Sequence, residues 1–96
     1  PYLAELEDEA GRRYLRVSTP IAPIGDIDPR RCLAFNWAQR VGYLALSDLD
    51  GVPYLQLCEN RTYAALDEAE LDRLLDEVAR LADGLERMIG YGRDLG

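Results

Sequence analysis

Two stretches near the N terminus, Tyr2–Asp8 and Arg13–Thr19, alternate apolar and polar residues at period two, with Gly11 between them. A strand with one buried face requires that alternation, so the pair predicts a hairpin. A turn at Ala10-Gly11 sets Leu6 against Leu15, Ala4 against Val17 and Tyr2 against Thr19 on the core side. Glu5 then meets Arg16, and Glu9 meets Arg12, at the other side or margin. Pro20–Gly25 holds two prolines, which forbid a helix and allow at most a broken edge strand; the stretch is read as a loop. Asp28-Pro29 supplies an N-cap and a proline at the first helical position, predicting a short helix to about Gln39. In its middle, Cys32–Ala38, apolar side chains point around the whole cylinder and only Asn36 is polar. Such a helix needs a cover on its back, either a loop or a second subunit.

A second hairpin is predicted from Val41–Ser47 and Val52–Glu59 around Asp50-Gly51, two residues that tolerate positive φ. Its register pairs Leu46 with Leu55 and Leu44 with Leu57 on the core face, and Ser47 with Tyr54, Ala45 with Gln56 and Tyr43 with Cys58 on the other. Further on, Asp67 and Glu70 form a capping box, with Leu66 and Leu71 placed as a hydrophobic staple. Leucines and small apolar residues then recur at three and four from Leu71 to Ile89, predicting an amphipathic helix of about 23 residues, ~35 Å long. Gly90 is placed to stop it, with Tyr91–Gly96 a frayed tail.

These elements predict one α+β domain over residues 1–96: an antiparallel sheet of two hairpins in ββα-ββα order, with the long C-terminal helix packed on one face. Leu44, Leu46, Leu55 and Leu57 are expected to be buried, and Glu5, Glu7 and Arg16 exposed. The two helices differ too much in length and sequence for the order to reflect an internal repeat.

Composition narrows the chemistry. The chain has 96 residues, 18 acidic, 11 basic and no histidine, for a net charge of −7. That acidity repels phosphate backbones and anionic lipid, so neither nucleic acid nor membrane is an expected partner. No apolar run approaches the roughly 18 residues of a membrane span, and no secretion signal opens the chain, which predicts a cytoplasmic protein. Every basic residue is arginine. Schiff-base lysine chemistry and every histidine-based catalytic set or metal site are therefore excluded. Cys32 and Cys58 read as two buried free thiols rather than a metal or redox pair. Asp48-Leu49-Asp50-Gly51 lacks the spaced ligands of a calcium loop, and the glycines are isolated, without a phosphate-binding run. No enzyme activity, metal or cofactor is expected.

Two surfaces remain. Tyr14, Tyr43 and Tyr54 fall on the non-core face of the sheet with Arg16 and Gln56 near; tyrosines there are either ordinary surface residues or a protein-binding face. Arg16 and Arg40 are candidates for orienting acidic groups of a partner. Trp37 belongs either to the core or to a subunit interface, and Leu33, Phe35, Asn36 and Trp37 are the candidate dimer contacts.

From Asp28 to Ile89 the order of features resembles the type III secretion chaperones and the related YbjN-like proteins. It comprises a short helix ending Cys32-Leu33-Ala34-Phe35-Asn36-Trp37, a hairpin turning on Asp50-Gly51, and Leu66-Asp67 opening a helix with a Leu71/Leu75 stripe. The resemblance implies a small, acidic, dimeric α+β domain without catalysis that binds an extended stretch of a partner polypeptide. For the YbjN-like branch it implies a small-ligand sensing or accessory regulatory domain of a larger protein. Members of these families begin with a helix before the first strand and usually have three strands ahead of the middle helix. This chain starts at Pro1 without that helix and offers two strands and the Pro20–Gly25 stretch, as expected of a piece of a longer protein.

Overall fold

The alternating and heptad-like patterns resolve into six elements in the computed structural model, which describes residues 1–92, with side chains through Ile89. They are β1 (Tyr2–Glu7), β2 (Arg13–Pro23), α1 (Pro29–Ala38), β3 (Tyr43–Leu49), β4 (Val52–Thr62) and α2 (Glu68–Gly92), with a single 3₁₀ turn at Tyr63–Ala65. The four strands form one antiparallel sheet in the order β1-β2-β4-β3. The two hairpins therefore join through their second strands, and the α+β class and the ββα-ββα order are as expected.

The β3–β4 register is the expected one throughout, from Tyr43 opposite Cys58 to Ser47 opposite Tyr54. Asp50 and Gly51 both have positive φ, 52° and 83°, the backbone signature of the tight primed turn. β3 begins at Tyr43 rather than Val41. Gly42 has a φ of 88°, which breaks the extended run, and a Cβ there would stand 3.2 Å from Leu57 Cδ1.

The first hairpin differs by one residue. Glu7 pairs with Arg13, Leu6 with Tyr14, Ala4 with Arg16 and Tyr2 with Ser18. Instead of a turn at Ala10-Gly11, the chain makes a loop closed by the Asp8 N–H donating to the Arg12 carbonyl (2.9 Å). The Asp8 carboxylate accepts from the Ala10 and Arg12 N–H groups, each at 2.9 Å. A one-residue slip moves every β1 side chain to the opposite face. Leu3 and Glu5, not Ala4 and Leu6, thus share a face with Val17 and Leu15. Glu5 meets Arg13 as an ion pair at 3.7 Å, not Arg16.

The Pro20–Pro23 stretch is strand, not loop. It extends β2 past the end of β1, where β4 is its only neighbour, and the register shifts between Pro20 and Ala22. Prolines are tolerated there because their missing N–H groups cost no ladder bond on an open side.

α2 lies across one face of β2 and β4. Leu74, Val78, Ala82 and Leu85 are buried against Val17, Leu44, Leu55 and Leu57, with Cys32 and Val41 completing the core. Asp67 caps α2 through a bond from the Glu70 N–H at 2.8 Å, while the Glu70 carboxylate pairs with Arg73 at 3.2 Å. The expected Asp76–Arg80 pair forms at 2.6 Å on the outer face. Gly90 does not end the helix, which runs to Gly92; the remainder of the expected frayed tail, 93–96, lies outside the described residues. Asp28 accepts from the Arg30 N–H at 2.9 Å, and Pro29 opens α1.

Candidate functional site

The sheet has one covered and one open face. Strand alternation and the register put Tyr14, Arg16 and Ser18 of β2 on the face opposite α2, beside Tyr54, Gln56, Cys58 and Asn60 of β4 and Tyr43, Ala45 and Ser47 of β3. Tyr2, Ala4 and Leu6 continue it onto β1. Among the described residues, the strands place no Asp or Glu on this face, although the chain carries 18 of them. Arg16 is half-buried and forms no ion pair among the described residues.

Tyr14, Arg16, Tyr43 and Tyr54 are thereby gathered on one surface, and all four are half-buried. Two of the hydroxyls are engaged at its margins: Tyr43 donates to Asn60 Oδ1 at 3.0 Å, and Tyr14 donates to Asp8 Oδ2 at 3.2 Å. Burial raises the Tyr43 hydroxyl above its usual pKa, with the Arg16 guanidinium pulling it back in part. Burial likewise pushes the Cys58 thiol up, again opposed by Arg16, so it stays protonated at neutral pH and behaves as a small apolar group. Cys32 is also free and buried, its thiol raised first by desolvation and then by Asp28. Arg16 is half-buried rather than exposed because it lies over this platform. Arg40 stands apart from the tyrosines, in the loop between α1 and β3, where it pairs with Glu77 at 3.6 Å.

Gln56 was legible only as a neighbour of the tyrosines. It is 8 % exposed, and its Nε2 donates to Ser47 Oγ at 2.6 Å, while its Oε1 receives no hydrogen bond from the protein. Leaving a buried acceptor without a donor costs about 1–3 kcal/mol. Its one sequence signal is a polar residue between two core-facing leucines, at a position where alternation alone predicts a solvated side chain. Around it, Arg16, Ser18, Ser47 and Cys58 line a depression of about 130 Å³.

The second surface is α1. Its inner side is fixed by Cys32 in the core and Phe35 packed against it. Asn36 bonds both backbone groups of Leu44, donating to its carbonyl at 3.1 Å and accepting from its N–H at 2.7 Å. Asn36 thus occupies part of the outer edge of β3 as a neighbouring strand would. On the outer side Trp37 is 93 % exposed and Leu33 68 %. Leu46, expected in the core, is 62 % exposed. It sits toward the turn of the second hairpin, where α1 lies beside the strand and leaves the side chain uncovered. An apolar cleft of about 220 Å³ runs between α1 and β3, lined by Ile24, Pro29, Cys32, Leu33, Leu44 and Leu46, among others. The four candidate dimer residues thus divide, with Phe35 and Asn36 engaged within their own chain and Leu33 and Trp37 turned outward.

Among the described residues no helix is long and apolar enough to cross a membrane, and no cluster of three or more His, Cys, Asp or Glu side chains is placed to hold a metal ion. Compared with protein-family models, with curated proteins and with solved structures, the chain matches none.

Proposed function

We propose that this domain is a non-enzymatic protein-binding module of the type III secretion chaperone-like kind, holding an extended stretch of a partner polypeptide on its open sheet face and acting as a cytoplasmic homodimer. The observation that carries the reading is the composition of that face: three tyrosines around an arginine that forms no ion pair among the described residues, on strands that place no Asp or Glu there, in a strongly acidic molecule. Tyrosine brings large contact area at small entropic cost, and an arginine so placed favours acidic groups on the partner. The outer edge of β1 adds backbone groups that an extended segment can complete. Pairing of two copies through α1 is supported by Leu33, Trp37 and Leu46, which together leave an apolar surface beside the cleft.

A small-ligand sensing or accessory regulatory domain, as in the YbjN-like branch, is the second reading. The apolar cleft between α1 and β3 favours it, since a compact apolar ligand fits there without engaging the tyrosines.

The test replaces Tyr43 and Tyr54 together by Ala and measures co-purification with the product of the adjacent reading frame. Loss of capture with an unchanged melting temperature is expected. Normal capture, or a chain that unfolds, assigns the tyrosines to structure instead. Light scattering at micromolar concentration should give twice the 10.8 kDa of one chain, and a clean monomer removes the dimer from the proposal.

A further inference from the structure

Two features of the α1 surface are each incomplete in a single chain. Trp37, the sequence's single tryptophan, lies in the last turn of α1 and is 93 % exposed. One helical turn before it, Leu33 lines the cleft between α1 and β3. Cys32, Leu44 and Leu55 are the buried part of that lining, and Leu33 and Leu46 are its exposed part, one on the helix and one on the strand. Among the described residues no charged side chain lines the cleft. Asn36, the polar one, already uses both ends of its amide on the Leu44 backbone. The cleft therefore suits an apolar group that needs no hydrogen bond from it. At about 220 Å³ it is larger than the ~150 Å³ in which a protein interior holds a benzene ring, as an indole requires.

We infer that, in the homodimer, Trp37 of each chain fills the cleft between α1 and β3 of the other. The inference rests on the reading of α1 as the dimer contact and names what that contact inserts and where. The knob and the rim of the hole stand one turn apart on the same helix, so a two-fold axis between them forms both insertions at once. A free apolar ligand would fill the cleft and leave Trp37 in water; a second copy covers both. The area is of the right order, since Trp37, Leu33 and Leu46 together present roughly 400 Å² of apolar side chain, about half of the ~800 Å² that each partner of a stable pair buries. The cleft walls and the polar rim around them supply the rest. Charge permits the approach, because Pro29–Arg40 carries three arginines and no Asp or Glu, in a chain of net charge −7. A central tryptophan seated in an apolar pocket is also the kind of anchor that dominates an interface.

The single tryptophan makes its own fluorescence the reporter. Diluting the parent chain to sub-micromolar concentration should move the emission from the blue of a buried indole to the red of a hydrated one, and acrylamide quenching should rise in step with the dimer's dissociation. Trp37→Ala should weaken self-association at least about 30-fold. Leu46→Arg, at the exposed rim, should block the cleft and give red emission at every concentration with an unchanged melting temperature for the single chain. The two variants then complement each other. The Trp37→Ala chain keeps an open cleft and contributes no tryptophan signal, while the Leu46→Arg chain keeps Trp37 and has a closed cleft. Titrating the first into the second should restore the blue shift through one intact insertion, more weakly than in the parent pair. Dilution of the parent needs no variant and decides the matter should either substitution not fold. The inference is overturned by emission that does not change with concentration, by a Leu46→Arg chain that shifts like the parent, or by a mixture of the two variants that shows no shift. A dimer by light scattering whose Trp37 emits from water throughout removes this contact and leaves the dimer standing, whereas a monomer at every concentration removes both.

Discussion

The two hairpins use strands of similar character, yet they are held in different ways. β3–β4 turns on Asp50-Gly51, where both residues sit at positive φ, and its inner face carries Leu44, Leu55 and Leu57 into the core beneath α2. β1–β2 turns through a loop organised by one aspartate, and β1 itself is solvent-exposed along nearly its whole length. In the second hairpin, turn chemistry and burial specify the same register. In the first, burial acts on β2 alone, so the loop decides how β1 is paired. Register is strongly specified where one face is buried and weakly specified where neither is. The same contrast divides the molecule's surfaces: the covered face holds the fold together, while the open face and the outer side of α1 are left without a covering element.

The sharpest way to break this comparison is to truncate equivalent leucines. Leu57 is fully buried at the centre of the second hairpin and among the largest side chains to be so. Leu57→Ala should cost about 2–5 kcal/mol, from lost transfer energy and the cavity left under α2. Leu3 points to the same side of the sheet from β1 but is more than half exposed. Leu3→Ala should stay within about 0.5 kcal/mol. Urea unfolding of the two variants measures both, and equal losses would mean that β1 is as much a part of the core as β4.

A gentler probe acts on the two turns through glycine. A Cβ on Gly51 meets nothing within 4 Å, so the backbone strain of a side chain at a φ of 83° is the first cost of Gly51→Val. The strain is about 1–2 kcal/mol and should appear in global stability, because β4 cannot detach from the core alone. Gly11 has nearly the same φ, 84°. Gly11→Val should carry similar local strain but reveal it as faster amide exchange in β1, with a smaller change in the melting temperature. If Gly11→Val lowers the melting temperature as much as Gly51→Val, the two hairpins unfold as one unit and the contrast fails.

These differences also explain what could be read from sequence. Asp28-Pro29, Asp50-Gly51 and the Asp67 cap are local signals whose geometry depends on few neighbours, and each defines its element. The α2 stripe is equally legible, because its leucines must all face one sheet. The β1 register was not, since it depends on Asp8 accepting two backbone bonds, a choice between loops of similar length that alternation cannot make. Pro20–Pro23 was misread because prolines exclude a central strand, and nothing in the sequence says that β1 stops short of them. Leu46 shares its pattern with Leu44; where α1 ends its cover is a tertiary fact. Gln56 is the instructive case for the site. Alternation places it correctly on the open face, but its burial comes from the side chains of neighbouring strands leaning over it, which no single-strand pattern contains.

The smallest effect belongs to Asp8, and it tests the loop directly. Its carboxyl is held below the ordinary value of 3.8, chiefly by the bond from the Arg12 N–H; desolvation opposes this, and the Ala10 N–H, the Tyr14 hydroxyl and the Arg12 charge add to the lowering. A carboxyl whose folded value is depressed contributes stability that is present above its unfolded value and is lost as pH falls through the folded one. The β1 hairpin should therefore loosen below about pH 3.8 while the core beneath α2 keeps its structure. Carboxyl-detected NMR titration gives the Asp8 value, and amide exchange of Leu3, Glu5 and Leu15 at two pH values reports the hairpin. Asp8→Asn retains an acceptor but not the charge, so it should keep the loop and lose the pH dependence, whereas Asp8→Ala should lose both. An Asp8 that titrates at or above 3.8, or exchange in β1 that ignores its protonation, would show that β2 alone sets the register and that the loop merely follows.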